Sequence, residues 1–215
     1  MPELNNNHGV LNRTYINKIM TTIDKAVIEF PRTMALRVDL RMPYIPDRND
    51  HFDVDSPVHD LNTSNEVISR FIDSLKSQIK ADLKRKKNQG SRVHPCRLRY
   101  CWVRELGENN EQLHYHALLL FNKDAYAFLG DFDSNRSHRN MMSKIRKAWA
   151  SALRGEYEEC EYLVHVPVKP IYYLDSNNIN YMDVYSKLIF RVSYLAKYKT
   201  KPYGDGYRSF GCSQY

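Results

Sequence analysis

Two strand-like runs separated by a short polar stretch constrain the fold more than any other feature of this 215-residue chain. Arg97–Leu106 and Leu113–Phe121 flank Gly107-Glu108-Asn109-Asn110-Glu111-Gln112. Strand, Gly/Asn-rich turn and strand predict a β-hairpin, and with it antiparallel sheet. Residues 34–42 alternate apolar with charged side chains, which predicts a half-buried strand stopped by Pro43. Another strand is expected between Glu161 and Val168. Helices are expected where apolar positions recur at helical spacing. They are residues 10–30 through Leu11, Tyr15, Ile19, Ile23 and Val27, and residues 66–87 through Ile68, Phe71, Ile72, Leu75, Ile79 and Leu83, with Asn65 as cap. Two more are expected over 137–153 and from about Asn180 to about Thr200. The order predicts an α+β domain, an antiparallel β-sheet carrying an H-x-H strand and flanked by helices.

The length suits one domain with small decorations. Residues 1–33 read as a loose polar tail and a helix, 34–201 as the main domain, and 202–215 as an irregular tail. Residues 44–64, rich in Pro, Asp, Asn and His, read as a surface loop. No run approaches the ~18 apolar residues of a membrane span, so no membrane is expected. The N-terminus carries no secretory pattern, which predicts a cytoplasmic protein. The four cysteines, Cys96, Cys101, Cys160 and Cys212, form no C-x-x-C pair. That excludes a zinc ribbon or thioredoxin-like site and predicts reduced thiols, with Cys101 in the core. With net charge +7 and a pI near 9.1, the surface attracts polyanions, nucleic acid being the commonest. The basic run Lys84–Lys87 reads as a solvated helix end.

His114 and His116 share one face of a strand. Two neighbouring neutral imidazoles suit a divalent cation. If residues 107–112 form the turn, Leu106 pairs with Leu113 and Glu105 with His114, so Glu105 points toward the histidines. His114, His116 and Glu105 then make a site for Mg²⁺ or Mn²⁺ that leaves positions open for a phosphate. A polar strand face is the plainer explanation of H-x-H, and a slip of one residue would turn Glu105 away. Glu111 is the weaker carboxylate candidate, and His94 reads as a surface residue. On a helical wheel Tyr194 and Tyr198 fall about 40° apart with Lys197 and Lys201 beside them, opposite the apolar Leu188, Ile189, Val192 and Leu195. A phenol titrates near ~10, so attack by tyrosine needs neighbouring cations and a polarised phosphate. An exposed Tyr/Lys helix face explains the same pattern without chemistry.

His114-Tyr115-His116 within an apolar strand, followed by Tyr194-Leu195-Ala196-Lys197-Tyr198, resembles the HUH nucleases that start rolling-circle replication. Tyr100–Glu105 before the histidines and Ile145–Trp149 after them resemble the inovirus replication-initiator-like family, which includes prophage-borne proteins of the YagK/YfjJ type. The likeness spans roughly residues 34–201 and lacks a helicase motif. It implies an HUH-nuclease, RRM-like fold and nicking and joining of single-stranded DNA at a replication origin. It further implies a 5′-phosphotyrosine intermediate formed by Tyr194 or Tyr198, with helicase and polymerase supplied by a bacterial host. Lys197 and Lys201 would neutralise phosphates or assist the phenol. A non-catalytic prophage DNA-binding protein that keeps the fold is one alternative. A phosphoesterase that uses water, with dispensable tyrosines, is another.

Overall fold

The hairpin forms in the expected register. In the computed structural model, which describes residues 2–7, 9–43, 61–107, 112–128 and 140–214, β2 (Arg99–Leu106) pairs antiparallel with β3 (Leu113–Asn122), Glu105 facing His114 and Leu106 facing Leu113. The other strands are β1 (Arg32–Arg41), β4 (Val164–His165), β5 (Ile171–Asp175) and β6 (Phe210–Cys212). They form one six-stranded sheet in the order β4-β1-β3-β2-β6, with β5 also paired to β1. The helices are α1 (Arg13–Glu29), α2 (Val67–Asn88), α3 (Met141–Leu153), α4 (Tyr157–Cys160) and α5 (Tyr181–Ser193). The fold class is therefore α+β, as expected. Among the described residues no helix is long and apolar enough to cross a membrane.

The chain divides into two units. The first comprises Met1–Asp39, Arg92–Ala127 and Val166–Tyr215. Its core lies on one face of the sheet, where Ile19, Ile23 and Val27 of α1 and Leu188, Ile189 and Val192 of α5 pack with Ala35, Cys101, Val103, Leu118 and Leu120. Because side chains alternate along a strand, that face continues past Val103 and Leu118 to Glu105, His116 and His114. The opposite-parity residues Met34, Leu36, Val38 and Leu40 are also fully buried. β1 is therefore buried on both faces along most of its length, not half-buried, and Arg37 and Asp39, on the face shared with Ala35, point inward, while Arg41 at the strand end is exposed.

The second unit comprises Leu40–Ser91 and Phe128–His165. Within it α2 and α3 meet through Phe71 and Trp149, edge to face with ring centroids 5.8 Å apart. Arg70 holds the carbonyls of Ala152 and Asn62 at 2.7 and 2.9 Å. Buried Asp82 pairs with Arg85 and Lys86, so part of the basic run at the end of α2 is neutralised within its own helix.

Several boundaries differ from those read in the sequence. Glu66, without a side-chain cap bond, precedes α2 in place of the expected Asn65 cap. Proline interrupts the single strand expected over 161–168, which becomes the two-residue β4, and the longer β5 lies beyond Pro170. The C-terminal tail is not wholly irregular, since β6 adds a strand to β2. The N-terminal segment is anchored, Asn5 donating its backbone N–H to Ser193 Oγ at 2.8 Å. Most of the expected loop over 44–64, Glu111 and the first residues of the expected third helix lie outside the described residues.

The largest departure concerns the tyrosine segment. α5 ends at Ser193, Tyr194–Ala196 form one 3₁₀ turn, and Lys197 is extended. Tertiary hydrogen bonds override helical propensity here. Asn12 donates to the Ala196 carbonyl at 2.7 Å, Tyr198 to that of Val10 at 3.1 Å, and Leu106 to that of Thr200 at 2.8 Å. Thr200 adopts a left-handed backbone, φ +76°. Tyr194 and Tyr198 are thus not stacked one helical turn apart.

Candidate metal centre and phenol pocket

β2 and β3 deliver Glu105, His114 and His116 to one point, where one ligand atom from each lies within 4.8 Å of the others. The two imidazole Nε2 atoms are 3.2 Å apart, and His116 Nε2 lies 3.6 Å from a Glu105 oxygen. Nitrogens that share a cation at ~2.0–2.1 Å stand ~3 Å apart, so this spacing fits ligation. Each Nδ1 has an acceptor: the Gln112 carbonyl at 3.3 Å for His114 and Asp39 at 2.5 Å for His116. With both Nδ1 positions protonated, the two Nε2 lone pairs converge, which is unfavourable unless a cation or proton lies between them. Burial, and then neighbouring His116, lower the pKa of His114 and favour its neutral, ligating form. A carboxylate behind a ligating imidazole fixes its tautomer and orientation, the role Asp39 is placed to fill.

Glu105 is enclosed, at 1% exposure. Lys197 and Lys201 each lie 3.0 Å from one of its oxygens, and the Thr200 hydroxyl donates to it at 3.0 Å. Burial pushes the Glu105 carboxyl up, but Lys201, His116 and Lys197 outweigh that effect and hold it below its ordinary value. The lysines were expected beside the tyrosines on a helix, addressing phosphates. Instead both reach one carboxylate, because the helix has ended before Lys197 and the chain turns through residues 198–200, with Thr200 in a left-handed conformation. To ligate a cation, Glu105 would have to share an oxygen with them.

Of the two phenols, Tyr194 belongs to this pocket. Its ring lies 5.7 Å from that of His116, with the Arg37 guanidinium 4.4 Å and the Lys197 ammonium 5.4 Å from the ring centroid. Tyr198 is 47% exposed and pairs with Tyr203, centroids 6.3 Å apart. The structure brings His114, His116, Glu105, Lys197, Lys201 and Tyr194 together and places Tyr198 with Tyr203 instead.

Two contributors escaped the sequence reading. Arg37 and Asp39, 3.2 Å apart, project from β1 onto the site face. Their signal was the charged alternation of residues 34–42, which for a half-buried strand would face water. The centre then holds three cationic side chains, Arg37, Lys197 and Lys201, against the carboxylates Asp39 and Glu105. A divalent cation would raise that excess and suit the pocket to phosphates. Two imidazoles with one carboxylate favour Mn²⁺ over Mg²⁺, which prefers all-oxygen sites.

The model of the YagK/YfjJ C-terminal domain matches residues 1–213. The chain is 40% identical over 207 residues to the uncharacterized protein YagK of Escherichia coli (strain K12), covering 96% of this chain and 95% of that protein. It is 38% identical over 202 residues to the uncharacterized protein YfjJ of the same organism, covering 93% of each. No solved structure matches it.

Proposed function

The chain belongs to the YagK/YfjJ C-terminal domain family, and on that footing we propose that it is an HUH-type endonuclease. It nicks and rejoins single-stranded DNA, as a rolling-circle initiator does, through a tyrosine nucleophile. The observation that carries this reading is the Tyr194 ring 5.7 Å from that of His116, on the sheet face where His116, His114 and Glu105 bring together ligand atoms that could hold a cation.

A divalent cation held by His114, His116 and Glu105 would polarise the scissile phosphate and stabilise charge building on its oxygens. The residues of the chain do the rest. The Tyr194 oxygen bonds to phosphorus, the bond from phosphorus to the 3′ oxygen breaks, and the phenol proton ends on the released 3′-hydroxyl. Arg37 and Lys197 over the ring favour negative charge on the phenol as it attacks. Asp39 holds His116 in its ligating tautomer. The reverse reaction joins strands, and the free 3′-hydroxyl can prime synthesis by a host polymerase.

A second reading is favoured by the three internal donors on Glu105, which satisfy it without any metal. Under that reading the protein binds DNA without cutting it. One experiment separates them: incubation of the protein with labelled single-stranded origin DNA and Mn²⁺, followed by denaturing electrophoresis. A covalent adduct is expected with the native chain, reduced at least ~100-fold in Tyr194→Phe and in His114→Ala/His116→Ala, and retained in Tyr198→Phe. Adduct that survives Tyr194→Phe would move the nucleophile elsewhere. Cleavage without adduct would indicate hydrolysis by water, and binding without cleavage would support the second reading.

A further inference from the structure

Cys101 and Cys212 face each other across β2 and β6. Ser213 donates to the Tyr100 carbonyl and Arg104 to that of Ser209, each at 3.0 Å, which makes the intervening Cys101/Cys212 register a non-hydrogen-bonded pair. Such pairs bring side chains closest, with Cα atoms ~4.5 Å apart, within the ~4.4–6.8 Å that a disulfide spans. Both side chains lie on the α1 side of the sheet: Cys101 belongs to the core there and Cys212 packs against it. Cys212 also lines, with Thr14, Lys18 and Thr22, a groove open to solvent between α1 and the β6 end. All four cysteines are free thiols.

We infer that Cys101 and Cys212 form a redox-modifiable pair, which a small disulfide such as oxidised glutathione closes into a cross-strand link. The Cys212 thiolate attacks one sulfur of oxidised glutathione, giving a mixed disulfide and one glutathione thiolate. The Cys101 sulfur then attacks the Cys212 sulfur and expels the second glutathione as its thiol. Two protein thiols are oxidised and one glutathione disulfide is reduced to two thiols. The order follows from access: Cys212 opens on the groove, whereas burial pushes the Cys101 thiol up to about 12. Burial likewise pushes Cys96 and Cys160 up to about 11, which slows their reaction.

The link would fix β6 to the strand that carries Glu105. The segment between them includes Lys201, on Glu105, and Asp205, paired with Arg104. The test treats the folded chain with oxidised glutathione, counts thiols and maps peptides by mass. Free thiols should fall from four to two, with Cys101 joined to Cys212, and the melting temperature should rise by roughly 5–15 °C, reversed by dithiothreitol. Cys101→Ser should stop at a stable glutathione adduct on Cys212, and Cys212→Ser should leave Cys101 unmodified. Four thiols remaining in the native chain, a link through Cys96 or Cys160, or a link formed only after denaturation would overturn the inference.

Discussion

Glu105 holds two ammonium groups in a place where water scarcely reaches, Lys201 itself having a fully enclosed side chain. Removing one member of such a group leaves uncompensated charge, at a cost of ~3–5 kcal/mol. Glu105→Gln should therefore lower stability at neutral pH by about that amount, read from urea unfolding. The acid response follows from the same contacts. The folded-state pKa of Glu105 lies below its unfolded value, so its contribution is complete above the unfolded value, ~4.3, and disappears as pH falls through the folded one. Native protein should lose stability more steeply than Glu105→Gln below about pH 4.5. Parallel curves for the two would show that Glu105 does not carry this part of the acid response.

β6 shows how little room the site strand leaves for its neighbour. Gly211 stands opposite Trp102, and a Cβ there would meet the indole at 2.5 Å. Gly211→Ala should push β6 away from β2 and lower the melting temperature by several degrees, equivalent to ~1–3 kcal/mol. An unchanged melting temperature would mean that the indole has somewhere to move. The hairpin was legible because its register depends only on local facts, the turn length and strand alternation, and these put Glu105 opposite His114. The end of α5 was not. Lys197 and Thr200 take their backbone shape from hydrogen bonds to residues 10–12 and Leu106, and no helical wheel contains those partners. Arg37 and Asp39 escaped for a related reason: their strand alternates as though one face met water, and burial on both faces is decided by other elements.

For the molecule as a whole, net charge +7 would set the strength and salt response of the proposed association with DNA. If binding neutralises three or four phosphates, one of them at Arg37, raising salt from about 50 to 200 mM should weaken single-stranded DNA binding by roughly 20- to 50-fold. Titration by fluorescence anisotropy measures this. Arg37→Ala should flatten the slope, and a slope unaltered by that change would place the phosphates on another face.

The pairing of Phe210–Cys212 with Trp102 and its neighbours has a consequence for biosynthesis. Synthesis runs from the N-terminus, so a ribosome releases both arms of the hairpin before it releases β6. The carboxylate at position 105 emerges well before the lysines at positions 197 and 201 that neutralise it, so the pocket stays open until those distant residues have also left the ribosome.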